Sequence, residues 1–258
     1  MTAGASHTLA VTNHPWSIDV LESDIGFSNR RRTPELMDQP GLGAIAHTRA
    51  LRGLGRINRV SRSASIIWPA IAGLWSRRRP QPVRVLDLAT GGGDIPIELA
   101  KRARRAGMDL RIEGCDVSSV AISFAARAAE GAGVSVRFFR LDALGEPFPE
   151  GFDVLTCSLF LHHLDEDDAV GLLRKMADAA RSTIVINDLL RSRIGYGIAW
   201  AGCRLLSRSP IVHHDGPVSV RGAFRLGEVR SLAERAGLDG VRVEPRWPWR
   251  FLLSWSRR

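Results

Sequence analysis

The sequence predicts an α/β chain: a doubly wound sheet, mostly parallel, with helices ahead of it and a helical insertion after its fifth strand. Three observations carry that expectation. From residue 82 to about 187, short apolar runs alternate with amphipathic stretches, the pattern of strands buried on both faces and joined by crossover helices. The first run lies in RVLDLATGGGDIPIE at 84–98, where an acid and three consecutive glycines precede a helix start. Such a turn lets a ligand lie directly against backbone. Beyond residue 187 the alternation fails, and two closing strands fit an antiparallel edge.

Taken in order, residues 1–32 mix Gly, Ser, Thr, His and Arg without sustained period and are expected to include a mobile arm. Residues 33–80 are expected to form a helical cap. Thr33 can cap a helix that starts at Pro34 and carries Glu35, Leu36 and Met37; a second helix follows Gly43 with Leu51, Leu54, Ile57 and Val60. Arg49, Arg52, Arg56 and Arg59 recur on it at helical spacing, which suits a polar outer face better than an anion-binding stripe. A third helix, 65–75, ends before the SRRRP punctuation at 76–80.

The core is assigned to 81–258. Its strands are placed at 83–88, 110–115, 134–140, 153–158 and 182–187, and the helices between them at 95–106, 120–131 and 167–180. The cap insertion, about 191–222, holds an apolar helix at 194–206 and a loop at 207–221 containing HHDGP. A helix at 226–236 and strands at 241–244 and 251–255 close the chain.

The formal charge of +9 raises nucleic acid as a partner, but only Lys101 and Lys175 are lysines and the arginines are dispersed along the chain. A solvated basic surface is the simpler reading, and no nucleic acid is expected. Cys115, Cys157 and Cys203 form no CxxC pair and have no histidines at ligand spacing. They point to a reducing compartment and away from a structural zinc; no metal-ligand spacing emerges, so no metal is expected at the site and a magnesium-dependent catechol mechanism is unsupported. The longest apolar run, 66–75, is about half of the roughly 20 residues a span requires, so a cytoplasmic protein is expected.

In an open parallel sheet ligands lie beyond the carboxyl ends of the strands. Asp87 closes the first strand before Gly91, Gly92 and Gly93; Asp116 closes the second; Asp142 lies just past the third. A carboxylate after the second strand can accept both hydroxyls of a ribose, and one after the third can accept from an exocyclic amine. A nicotinamide dinucleotide site would need glycine where Pro96 stands.

These residues resemble the class I S-adenosylmethionine-dependent methyltransferases over about 83–243, and the resemblance implies a Rossmann-like fold. LDLATGGGD is similar to that family's acid-x-Gly-x-Gly-x-Gly motif, with Ala89 in place of the first glycine. The resemblance implies S-adenosylmethionine as cofactor, with Asp87, Thr90, Gly91 and Gly93 toward its methionine part. It implies Asp116 and Val117 at the ribose, Asp142 and Ala143 at the adenine, and Ser158 near the methionine end. CSLFLHHL is similar to the quinone-biosynthesis branch. The stretch 35–61, NDLLRSR at 187–193 and HHDGPVSVRGAF at 213–224 resemble methyltransferases of bacterial secondary metabolism. These imply a small hydrophobic acceptor, phenolic or polyketide-like, with O-methylation ahead of C-methylation of a quinone-type acceptor. Two further alternatives are an RNA or protein methyltransferase and a cofactor-binding protein without catalysis. Base-nitrogen transfer would call for an NPPY-like tetrapeptide after the fourth strand, where SLFL stands.

A phenolic acceptor benefits from a base. His163 first, and His162 second, sit after the fourth strand, where the transferred methyl should point, although either can instead pack or bond to backbone. His214, beside Asp215, is either an oriented base or part of an Asp-Gly-Pro turn. Trp68, Trp75, Tyr196 and Trp200 are candidates for an acceptor wall or for plain core. The tail WPWRFLLSWSRR could touch a membrane surface, a closing strand with a basic end being the simpler account.

Overall fold

The alternating pattern resolves, in a computed structural model that describes residues 26–257, into one mixed sheet. Strands β1 (Val83–Leu88), β2 (Leu110–Asp116), β3 (Arg137–Arg140), β4 (Val154–Ser158) and β5 (Thr183–Leu189) are parallel to one another. Strand β7 (Arg250–Ser256) runs antiparallel between β5 and β6 (Arg242–Arg246). The order β3-β2-β1-β4-β5-β7-β6 reverses direction between β1 and β4, so the ligand crevice of such a sheet opens beside β1.

Period-two alternation assigns each strand residue to a layer. Leu86, Leu155, Ile184, Ile186 and Phe251 face one core with Leu172 and Leu173 of α5 (Glu166–Ala179) and Val229 of α8 (Leu226–Arg235). Val83, Val85, Val154, Val185 and Leu252 face the other, with Ile67 and Ile71 of α2 (Ser63–Arg78) and Leu99 of α3 (Asp94–Arg105). Each such side chain contributes about 1.5–3 kcal/mol on burial. Trp68 and Trp75 pack against this second core. The remaining helices are α1 (Ala44–Val60), α4 (Ser119–Gly131), α6 (Arg193–Leu206) and α7 (Pro210–Gly222).

Three expectations are corrected. The segment 207–221 is no loop: α7 starts with Pro210 in its first turn and runs through HHDGP. Gly216, read as a turn residue, is there for packing, since a Cβ on it would fall 2.2 Å from Cys203 Sγ of α6. Nor does Thr33 cap a helix. Only a 3-10 turn, Leu36–Asp38, forms there, with Glu35 at its N-cap position. Its Leu36 and Met37 N–H groups donate to the Asp215 carboxylate of α7, at 2.9 and 3.0 Å, so a distant acid does the capping. Strand β3 is shorter than expected because only Glu113 to Asp116 of β2 pair with this edge.

The expected arm at 1–32 lies outside the described residues up to 25, but residues 26–32 are fastened to the body. Arg30 donates to the carbonyls of Gly222, His162 and Leu164. Arg191, whose side chain is 0% exposed, binds Glu228 and the carbonyls of Phe27, Ser28 and Ala223. Among the described residues no helix is long and apolar enough to cross a membrane.

Candidate active site

The glycine turn is held from below by Asp87, which accepts hydrogen bonds from Thr90 Oγ1 at 2.7 Å and Thr156 Oγ1 at 2.6 Å. Burial pushes its carboxyl up to about 7 despite those hydroxyls. Asp87 and Thr90 therefore shape the turn from beneath it. Gly91 and Gly93 both take left-handed backbone, at φ +54 and +71. A Cβ on Gly93 would strike Phe138 Cζ at 2.7 Å and Ala125 Cβ at 2.8 Å, whereas on Gly91, among the described residues, only Leu51 lies within 4 Å, at 3.8 Å. Gly93 is thus used for helix and strand packing, and Gly91 carries the accessible backbone. Leu51 belongs to α1, so the N-terminal helices roof the turn.

Asp116 faces Gly91. Its Oδ2 accepts from Gly91 N at 2.8 Å and its Oδ1 from Ser118 N at 2.9 Å, leaving a lone pair on each oxygen for a diol. Burial raises its pKa, opposed by those two N–H donors. Val117 beside it is exposed, Ala143 is buried, and Asp142 accepts from Leu144 N at 2.9 Å. Across the switch point, Ser158 Oγ and both amide atoms of Asn187 are buried and have no hydrogen-bond partner among the described residues. These two residues are register partners on β4 and β5. Buried orphans of this kind fit the charged head of an amino-acid-bearing cofactor, and the diol acceptor at Asp116 fits its ribose.

Beyond β4 the chain makes a 3-10 turn, Leu161–His163, which presents both histidines to the Glu35 turn. His162, 4% exposed, directs Nδ1 to Asp188 Oδ1 at 2.7 Å, while Nε2 stands 3.5 Å from Glu35 Oε1 without a hydrogen-bond partner. Burial opposes charge on this ring, but Asp188 and then Glu35 outweigh it and raise its pKa to about 10. Asp188 is correspondingly lowered against the cost of its own burial. His163 directs Nδ1 to Asp38 Oδ2 at 2.9 Å and Nε2 to Glu35 Oε1 at 3.9 Å. Both imidazoles are therefore anchored by a carboxylate on one nitrogen and turned toward Glu35 with the other. Ser219 Oγ holds Glu35 in place.

His214 does not share this arrangement: its Nδ1 contacts Asp215 at 2.9 Å, and Asp215 is occupied with the Leu36 and Met37 amides. Tyr196 lies edge-on to Phe27, and Trp200 is largely exposed. Sequence reasoning missed Glu35, Asp38, Asn187 and Asp188. Asp188 stands one residue past the expected end of the fifth strand, so the strand-end rule could have found it. The Glu35 turn gave no local signal, because only the strap of residues 26–38 brings it to β4.

Residues 85–183 match the family described as methyltransferase domain. A demethylmenaquinone methyltransferase of Thermus thermophilus is 38% identical over 120 residues, 43% of this chain and 53% of that protein. The chain thus spans about half the length of this curated relative. A ubiquinone biosynthesis O-methyltransferase of Ralstonia nicotianae is 29% identical over 168 residues, 63% of this chain and 67% of that protein. Among solved structures, the plantazolicin methyltransferase BamL, in complex with a triazolic desmethylPZN analog and SAH, superposes with a TM-score of 0.56 at 15% identity. That superposition covers 82% of this chain and 97% of BamL and shows a shared fold. An accessible backbone at Gly91, a diol acceptor at Asp116 and a carboxylate past β3 are what an adenosine bound across this sheet requires. The matched residues are the same half of the sheet, and over them the chain is similar to a methyltransferase domain.

Proposed function

We propose that the protein transfers the methyl group of S-adenosylmethionine to an oxygen of a small hydrophobic acceptor, aromatic, phenolic or polyketide-like. The observation that carries this reading is the roofed cluster of Glu35, His162 and His163 beside the switch point. The bound cofactor supplies an already activated methyl group, so the chain's work is alignment, exclusion of water and removal of the acceptor's proton. Asp116, Val117, Gly91, Ser158 and Asn187 hold and orient, with Asp142 and Ala143 at the adenine end. Leu51 and the strap at 26–38 cover the site, which suits a small acceptor better than RNA or a folded protein.

His163 is the first candidate to take the acceptor's proton, because Asp38 fixes its ring and its Nε2 carries no short contact. His162, paired with Asp188, positions Glu35 instead. His214 is the weakest of the three, its acid being engaged in capping. A second reading, C-methylation of a quinone-type acceptor, is favoured by the likeness to the Thermus protein, which is named for demethylmenaquinone. The test is incubation with S-adenosylmethionine and a panel of phenols and quinols, with the methylated atom located by NMR. We expect an O-methyl product and a rate lowered about 10²–10⁴-fold in His163→Ala. A ring-carbon product would select the second reading. Binding of S-adenosylhomocysteine without turnover, or turnover on RNA or peptide alone, would overturn both.

A further inference from the structure

We infer that Glu35, His162 and His163 form a binding site for one divalent transition-metal ion, of the zinc class. The first observation is convergence: Glu35 Oε1, His162 Nε2 and His163 Nε2 lie within 4.8 Å of one another. Metal–ligand arms of about 2.0–2.1 Å at tetrahedral angles place donor atoms about 3.4 Å apart. The 3.5 Å separation between His162 and Glu35 is already close to this; the 3.9 Å separation between His163 and Glu35 is wider, so the ion would draw that ring inward.

The second observation is independent of the first. Among the described residues, buried His162 Nε2 completes no hydrogen bond, Glu35 Oε1 standing off at 3.5 Å, a costly state for a buried nitrogen. The third is the outer arrangement. Asp188 holds Nδ1 of His162 and Asp38 holds Nδ1 of His163, at 2.7 and 2.9 Å. A carboxylate on the far nitrogen fixes the tautomer that presents the Nε2 lone pair and makes the ring a better ligand. Both histidines carry this device and both point to the same carboxylate.

Two imidazoles and one carboxylate are the donor set of an open catalytic site, with a position left for water or a substrate oxygen. The donors favour zinc over magnesium, which prefers an all-oxygen shell. His163 and Asp38 are partly exposed, which gives the ion a way in. In the loaded protein His163 has no lone pair left for a proton. The cation would then lower the pKa of an acceptor hydroxyl by binding its oxygen, and the proton released would pass to solvent water. The competitor for the site is a proton on His162 Nε2, which would bind Asp188 and Glu35 without a metal. The metal site itself is independent of the methyl acceptor and of turnover.

The test is calorimetric titration of chelator-treated, full-length protein with zinc chloride, and in parallel with magnesium chloride, with bound metal counted by mass spectrometry. We expect one zinc per chain, little affinity for magnesium, and at least tenfold weaker zinc binding in both Glu35→Gln and His163→Ala. Thermal unfolding and S-adenosylhomocysteine binding of the variants report whether they are folded, and His214→Ala should bind zinc as the unaltered chain does. Substitution with cobalt(II) should give visible absorption bands that Glu35→Gln abolishes. A folded, S-adenosylhomocysteine-binding protein that takes up no zinc, or zinc binding that survives both ligand substitutions, would overturn the site. Neither result would touch the proposed methyl transfer.

Discussion

At Asp116 one side chain has two tasks, since the same carboxylate that can receive a ribose also fixes Gly91 and the start of α4 through Ser118. Hydrogen bonds to a charged group contribute about 1.5–3 kcal/mol. Asp116→Ala should therefore weaken S-adenosylhomocysteine binding about 10- to 100-fold in calorimetry, and normal affinity would remove the ribose assignment. Asp87 makes a pH prediction. Its folded pKa of about 7 lies above the ordinary 3.8, so between roughly pH 4 and 7 the folded chain holds a proton that the unfolded chain has lost. Stability from this group is greatest at the acid end of that window and falls as pH rises through 7. Glu35, Asp38 and Asp188 are lowered and pull the opposite way, losing their contribution as pH falls. The informative quantity is thus a difference: Asp87→Asn should lose less stability between pH 5 and 8 than the unaltered chain in urea unfolding. Equal slopes would refute the burial argument.

The helix α7 shows how an element can be misread from correct local chemistry. Asp-Gly-Pro is a turn signal, and Pro217 does stand inside the helix. Close passage of α6 requires Gly216, and the Asp215 carboxylate is spent on the Glu35 turn. Gly216→Ala should push the two helices apart at a cost of about 1–3 kcal/mol. In a chain of this size that lowers Tm by several degrees, and an unchanged Tm would deny the contact. The crossover units, by contrast, were legible almost residue by residue. Each buried strand had to be apolar on both faces, and each following helix had to hide one face, so the pattern repeats every unit.

At the scale of the whole molecule, the strap of residues 26–38 covers the carboxyl ends of β4 and β5, and Arg191 is its fastening. Removing a fully buried guanidinium that pairs with Glu228 and holds two strap carbonyls leaves several groups unpaired, a loss of about 3–5 kcal/mol. Arg191→Ala should release the strap before the core unfolds. Trypsin would then cleave at Arg30, Arg31 or Arg32 markedly faster than in the unaltered chain, as intact mass would show. Equal cleavage rates would mean that the strap is held elsewhere.

The sequence by itself determined the doubly wound sheet, the acids at its strand ends and the glycine turn, because each follows from spacing within one β–α unit. Tertiary structure alone decided which glycine is accessible, and that HHDGP is helical. It also brought Glu35 and Asp38 to His162 and His163. Those outcomes depend on elements far apart in the chain meeting across the sheet, and no local period records such a meeting. The histidines were visible as candidates, but the carboxylates that orient them emerged only when the strap, β5 and the turn after β4 closed on one another.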